Sequence, residues 1–551
     1  MNTDLRKVLN TFRLDRLKRS LTHPMQFRQS QELLEIIHRR LQGDVRPVRI
    51  VTSGGSAVEG RDAGYQHWTR PPRRFNFRPG AWPSMWENLL NRAWPLEDTT
   101  GEEPRESNNS DTAAPVNWVE VANMASAAAR STTGALMLRS SFWPSEWGPT
   151  GPDLVVGAHA VNDFIGLNRE ADLMKHTTQV YMEDLLQSAN KVRPCYNETS
   201  LPAILLLDDY IGGSGIEDVQ ENPYTISSYH RLVAQLSGWY QVGAVSYANV
   251  VRHLVTTVQP PVNEYGDNPF THDKMTVHPG AVVHATMPVV LTYYLLSNLW
   301  RSCMEEPFMT DSNNSNNSNR STNTGDRAEN TEFREEFEIK AIPELVDRRG
   351  LNNTRKDGLL AIWRANQNDL DEKCRAMASI DANLFPCTYS WVTMKNPLGI
   401  KTTKQLDAEM AKILVDEVDG WQTEGYRNKR PRPGWIATKA KAYFHIEVTA
   451  TTVPIKYMTM MSMRSYGEKW ANATVKVTLE VVRKGENSSS AINATPHFVS
   501  GYHSELTSIL VPHTFEVPNG GAKIGDKVRT NFVLVGGTTF RIQGLLYCIT
   551  K

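Results

Sequence analysis

Five short apolar runs in the first half of the chain restrict its fold more than any other feature. They are Val48–Val51, Trp118–Asn123, Asp153–His159, Leu201–Asp209 and Val242–Tyr247. Aliphatic and β-branched residues with little polar alternation suit strands buried on both faces, and parallel strands of that kind need crossover helices. Segments of helical character stand between them. Gln29–Leu41 places Leu33, Leu34, Ile36, Ile37 and Leu41 at helical spacing, and Trp82–Leu90 begins with a proline suited to a first helical turn. Met124–Thr133 is rich in small residues and leads to Gly134 and a helix, and Met174–Ser188 and Ile226–Tyr240 complete the alternation. The expected fold class is α/β: a parallel sheet covered by helices on both faces.

The second half has a different character. Asp311–Asn330 is dominated by Asn and Ser and is too polar to bury a core, so it reads as a disordered boundary. From Trp435 onward, runs such as Tyr443–Val448, Val475–Val481 and Phe532–Val535 stand between Gly and Asn turns, the pattern of an antiparallel β-sandwich. Lys404–Val418 reads as one helix. The expected division is 1–46, an N-terminal helical segment; 47–305, the α/β domain; 306–331, the linker; 332–432, a mixed connecting region; and 433–551, the β-sandwich.

Charge and cysteine content narrow the partners. Lys and Arg total 60, Asp and Glu total 60, and the net charge is +0 in 551 residues. That balance removes the electrostatic case for nucleic acid or an anionic membrane as main partner. The basic cluster Arg427–Arg432 reads as a solvated linker. The apolar run Met287–Leu296 is too short to span a bilayer and reads as a buried helix. Five cysteines, Cys195, Cys303, Cys374, Cys387 and Cys548, show neither zinc spacing nor a dense disulfide framework. Sequons at Asn108, Asn197, Asn352, Asn472, Asn487 and Asn493 favour the secretory pathway, although the charged N-terminus lacks the apolar core of a signal peptide.

Three places carry candidate chemistry. The first apolar run ends in Gly54-Gly55-Ser56, so Ser56 is presented at a strand end and is a candidate nucleophile. Gly-Gly-Ser also makes plain turns and phosphate-cradling loops. The third run leads into Ala160-Val161-Asn162-Asp163. There Asn162 either aims its carboxamide at the Ser56 pocket, as an oxyanion hole requires, or belongs to a helix cap. His272–Gly280 contains Asp273 and His278, close enough to share one loop as the base and the carboxylate that orients it. His284 is expected to pack or cap on the following helix. His159 is expected to be a buried, hydrogen-bonded histidine. The Trp-, Arg- and Pro-rich segment 62–95 either lines a sugar subsite or caps the core with aromatic residues.

Taken together, the Gly-Gly-Ser block, the Ala-Val-Asn-Asp block and the Asp273…His278-Pro279 loop resemble the SGNH (GDSL-type) hydrolase superfamily in order and spacing. The chain is particularly similar to a eukaryotic, largely algal and protist group with a β-rich tail, whose counterpart here is Pro433-Gly434-Trp435 with Met463–Tyr466. The resemblance implies an SGNH-like three-layer α/β/α domain. It implies Ser56 as nucleophile, His278 as base, Asp273 as its orienting carboxylate and Asn162 in the oxyanion hole, with the amides of Ser56 and of the second-block loop at Ala128. That loop departs from the family's pattern: residues 125–131 hold no glycine, so an alanine amide must donate. Ala160 and Val161 stand where a glycine is usual, and the Asp-to-His spacing is longer than usual.

The implied activity is hydrolysis of an acyl or acetyl ester, on a small molecule or a carbohydrate, with no metal or organic cofactor. The C-terminal domain would add a glycan contact. The same residues would serve an O-acyltransferase. A catalytically degenerate scaffold that binds a glycan or a partner is the alternative from another class.

Overall fold

The computed structural model describes residues 12, 14–23, 37, 46–60, 80–93, 117–144, 146–147, 151–165, 185–186, 202–209, 233–238, 240, 242–255, 280–305, 387–393, 399–424, 433–485, 495–503 and 508–549. In the first half, β1 (Leu21–His23), β2 (Val48–Gly54), β3 (Val119–Asn123), β4 (Leu154–Ala158), β5 (Ala203–Asp208) and β6 (Gly243–Ser246) form one sheet, in the order β1-β6-β5-β4-β2-β3. Strands β2 to β6 are parallel, and β1 pairs antiparallel with β6 at the edge. Strands β4, β5 and β6 are buried at every position, which is what a sheet covered on both faces requires. Each of the five expected strands is present. The first is longer than expected because Ser53 and Gly54 stay in parallel register with Gly157 and Ala158.

Helices in this half include α1 (Leu14–Lys18), α2 (Trp82–Ala93), α3 (Ser131–Arg139), α4 (Ala160–Ile165), α5 (Tyr247–Val255) and α6 (Ala281–Glu305), and residues 233–238 are helical within the helix expected at Ile226–Tyr240. Helix α2 packs on β3 and on α6. His284, in the first turns of α6, accepts a hydrogen bond at Nδ1 from the backbone N–H of Trp82 (3.3 Å) and so caps the start of α2. Helix α6 corrects the expectation of a short apolar run. Its Ala281–Trp300 stretch has the length and composition to cross a membrane, and here it is mostly buried. The run read at Met287–Leu296 extends at both ends because Val283, Leu299 and their neighbours continue the apolar pattern.

Counted among the parallel strands alone, the spatial order is 2-1-3-4-5, the doubly wound arrangement. The chain leaves β2 for β3 on one side and crosses back to β4 on the other. The connections after β2 and β4 therefore diverge, and a crevice opens between their carboxyl ends.

The second half forms two antiparallel sheets. One has the order β10-β15-β12-β13, with β10 (Tyr443–Thr449), β12 (Thr474–Val482), β13 (His497–Ser500) and β15 (Lys527–Gly536). The other has β14 (Ile509–Glu516), β11 (Tyr457–Arg464), β16 (Phe540–Cys548), β9 (Gly434–Ala437) and β8 (Trp421–Glu424), with β7 (Cys387–Val392) also paired to β16. Thus strands from 387–424 join these sheets. A disulfide between Cys387 and Cys548 ties β7 to β16 across 161 residues, a pairing the cysteine spacing does not disclose. The helix expected at Lys404–Val418 is shorter: α7 (Thr403–Ala411) starts with a Thr402/Gln405 capping box. Its continuation is diverted because Leu414 makes a β-bridge to Ile446.

Burial along the two sheets shows what covers them. Strand β10 alternates half-buried and buried, as one-sided packing dictates, whereas β16 is buried throughout. Met458, Met460, Leu545 and Tyr547 share a core with Phe444, Val475 and Phe532 of the four-stranded sheet. The alternate residues Met461 and Leu546, with Leu510 and Cys548, join the core of the α/β half instead. The larger sheet is thus packed on both faces. The Asn/Ser-rich linker, the Gln29–Leu41 helix apart from Ile37, and most of Met174–Ser188 lie outside the described residues.

Candidate active site

Ser56 lies just beyond the carboxyl end of β2, at the crevice set up by strand order. Residues 55–60 wind into a tight turn, closed by Glu59 N–H to Gly55 O (3.0 Å) and Gly60 N–H to Ala57 O (3.1 Å). Gly60 takes φ +80°, a conformation open to glycine and costly for most residues. Asn123, at the end of β3, holds this turn from the side: its Nδ2 donates to Val58 O (2.9 Å). Its Oδ1 accepts from Ala125 N–H (3.0 Å), which links the Ser56 turn to the loop after β3. The sequence marks Asn123 only as the last residue of a strand.

Asn162 comes from the other side of the crevice. β4 ends at Ala158 and α4 begins at Ala160, so Asn162 sits just past the strand, in the first turn of a helix. Its carboxamide lies against Gly55, where an added Cβ would be 2.1 Å from Nδ2. Glycine at 55 therefore permits this approach. One Nδ2 hydrogen of Asn162 goes to Ala129 O (2.7 Å), and a carboxamide carries a second donor.

The loop after β3 completes this side. Ser126 N–H donates to Gly54 O (3.1 Å) and Ala129 N–H to Ser126 O (2.9 Å). Ala128 has φ +68°, a left-handed conformation that favours glycine. This glycine-free loop thus holds an alanine in a glycine-like conformation. Beyond it, Asp163 accepts from Ser131 N–H (3.0 Å) and from the Ser131 hydroxyl (2.5 Å), fixing the start of α3.

Beneath this surface lies a buried polar layer. His159 is buried, with Nδ1 3.3 Å from Ala129 O and Nε2 3.0 Å from Ser53 Oγ. A carbonyl only accepts, so Nδ1 carries the proton and Nε2 accepts from the Ser53 hydroxyl. Burial lowers this imidazole to about 4, against which the Ala129 hydrogen bond acts. Desolvation raises the Asp163 carboxyl to about 6, opposed by Ser131 and Arg130. Asp209, at the end of β5, rises to about 8, through burial first and then the charge of Asp208. Sequence reading singled out neither Asp163 nor Asp209 as perturbed; a carboxylate directly after an apolar strand is the signal that marks Asp209, whereas Asp163 lies in the first turns of α4. Asp273 and His278 lie outside the described residues.

The fold and these contacts define a doubly wound α/β protein with a polar site at its strand-order crevice, joined to an antiparallel β-domain. No family model matches the sequence, and no curated protein matches it. Among solved structures, the chain is similar to the inhibitor-bound aryl esterase of M. smegmatis, at 14% identity and TM-score 0.29, over 45% of this chain and 99% of that one. It is also similar to Est24, a carbohydrate acetylesterase from Sinorhizobium meliloti, at 10% identity and TM-score 0.27, over 45% of this chain and 99% of that one. A carbohydrate-binding module of Cellvibrio mixtus lichenase 5A is similar at 11% identity and TM-score 0.16, over 25% of this chain and 92% of that module. These are low TM-scores, and the fold stands on strand order and register. None of these three names an algal or protist protein.

Proposed function

We propose that this chain is a serine ester hydrolase of the SGNH type. The observation that supports this reading best is the convergence at one crevice of the Ser56 turn, the Asn162 carboxamide and the left-handed Ala128. His278 and Asp273 enter on the resemblance of their loop to the family's last block.

In the proposed reaction, Ser56 Oγ attacks the ester carbonyl while His278, oriented by Asp273, takes the hydroxyl proton. Negative charge moves onto the carbonyl oxygen, where the amides of Ser56 and Ala128 and the second Asn162 donor would receive it. Collapse breaks the bond to the alcohol oxygen, which leaves with the proton from His278. Water then attacks the acyl-serine with the same groups in the same roles, releasing the acid and restoring Ser56.

The substrate is proposed to be an acyl or acetyl ester, with a carbohydrate as the alcohol. The exposed aromatic side chains Tyr466, Phe498 and Tyr502 of the C-terminal domain suit a glycan contact. The Cys387–Cys548 disulfide and the exposed sequon residue Asn472 agree with maturation in an oxidising compartment.

The test is hydrolysis of an aryl acetate and of an acetylated oligosaccharide by the full chain. Ser56→Ala is expected to lower kcat by more than about 10³-fold with the fold intact. Turnover that persists unchanged in Ser56→Ala contradicts the reading.

A further inference from the structure

Strand β14 is an edge strand, paired on one side to β11, with Leu510 opposite Met463. In an antiparallel pair, alternate residues turn both backbone groups toward the partner strand or both away from it. Leu510 turns both away. Its N–H donates to Ala128 O (3.2 Å) and its carbonyl accepts from Thr133 Oγ1 (3.1 Å). The next residue facing the same edge is Pro512, which has no N–H to give. At this end of β14 the outer edge therefore grips the loop that leads into α3 through Leu510, and the next outward position gives no N–H.

That loop contains Ala128 at φ +68°. An alanine does not hold this conformation unaided, whereas a glycine adopts it freely. The peptide after Ala128 is gripped by Leu510, and the carbonyl of Ala129 is gripped by Asn162. Among the described residues, no hydrogen bond from the Ala128 N–H is found.

We infer that β14 is a positioning element of the ester site: the Leu510 backbone, fixed by Thr133, holds Ala128 in the left-handed conformation that aims its N–H at the oxyanion. This rests on Ser56 being the nucleophile. It makes the C-terminal domain part of the catalytic apparatus as well as a candidate glycan contact, and Thr133 a residue that acts through Leu510 and Ala128 without touching substrate.

The experiment uses the full chain and an aryl acetate. Thr133→Val removes the donor to Leu510 at nearly constant shape, and Thr133→Ser keeps it. Thr133→Val is expected to lower kcat about tenfold with KM unchanged, Thr133→Ser to retain activity, and Ala128→Gly added to Thr133→Val to restore most of the loss. Should Thr133→Val not fold, leucic acid placed at 510 by nonsense suppression replaces that backbone N–H by an ester oxygen, and the same fall and rescue are expected. Wild-type kcat in these variants, or a loss that Ala128→Gly does not repair, overturns the positioning role while Ser56→Ala remains inactive. Full activity in Ser56→Ala removes the ester site itself.

Discussion

Asn162 lies so close to Gly55 that a methyl group at 55 would come within 2.1 Å of its carboxamide nitrogen. The clash involves a side chain already tied to Ala129 O, so relief requires breaking that hydrogen bond or moving the Ser56 turn. Gly55→Ala is expected to lower kcat on an aryl ester by about 10²-fold, the size seen when one oxyanion donor is lost. Asn162→Ala is expected to cost about as much, and the double variant little more than either, because both disturb one contact. Steady-state kinetics on the four proteins of this cycle checks it; strict additivity contradicts the contact.

His159 connects the site to acid stability. Its folded value, about 4, lies below the ordinary 6.5 because the buried ring resists charging. The unfolded chain therefore binds the extra proton first as pH falls. Stability from this group is fully present above about 6.5 and is lost as pH falls through about 4, by about 3 kcal/mol in all. His159→Gln is expected to flatten the stability profile in that window, measured by urea unfolding at a series of pH values.

Asp209 acts in the opposite sense. Its carboxyl is raised from 3.8 to about 8 by burial and by the neighbouring charge of Asp208. The folded protein thus holds a proton that the unfolded chain releases, and stability is lost as pH rises from about 4 through about 8. Asp209→Asn mimics the protonated acid. It is expected to leave stability at about pH 4 nearly unchanged and to raise it progressively toward about pH 8. Urea midpoints at the two ends of that range decide this.

The Cys387–Cys548 bond joins two strands of the larger C-terminal sheet and closes 161 residues of chain. Long loops lose the most unfolded-state entropy when closed, so Cys387→Ser with Cys548→Ser is expected to destabilise by about 2–5 kcal/mol. Thermal melts with and without reductant should show the same lowering for the wild type, and no effect of reductant on the double variant.

Period and composition made the architecture legible: a strand buried on both faces has no polar alternation, so Asp153–His159 and Leu201–Asp209 stood out. Gly54-Gly55-Ser56 was legible for the same reason, as small residues directly after such a run. What the sequence hid is tertiary. Nothing local shows that Leu414 leaves a helix to bridge Ile446, or that Ala128 takes a positive φ. Each depends on a partner far along the chain; for Ala128 the grip comes from Leu510. The Cys387–Cys548 pairing was equally out of reach, because the register between β7 and β16 is set by the sheet.

The most direct test is covalent labelling of the full chain by a fluorophosphonate, read by intact mass and peptide mapping. One adduct is expected, on the Ser56 hydroxyl, absent in Ser56→Ala and slowed in Gly55→Ala. A folded protein that takes no label, or takes it on another serine, contradicts the account.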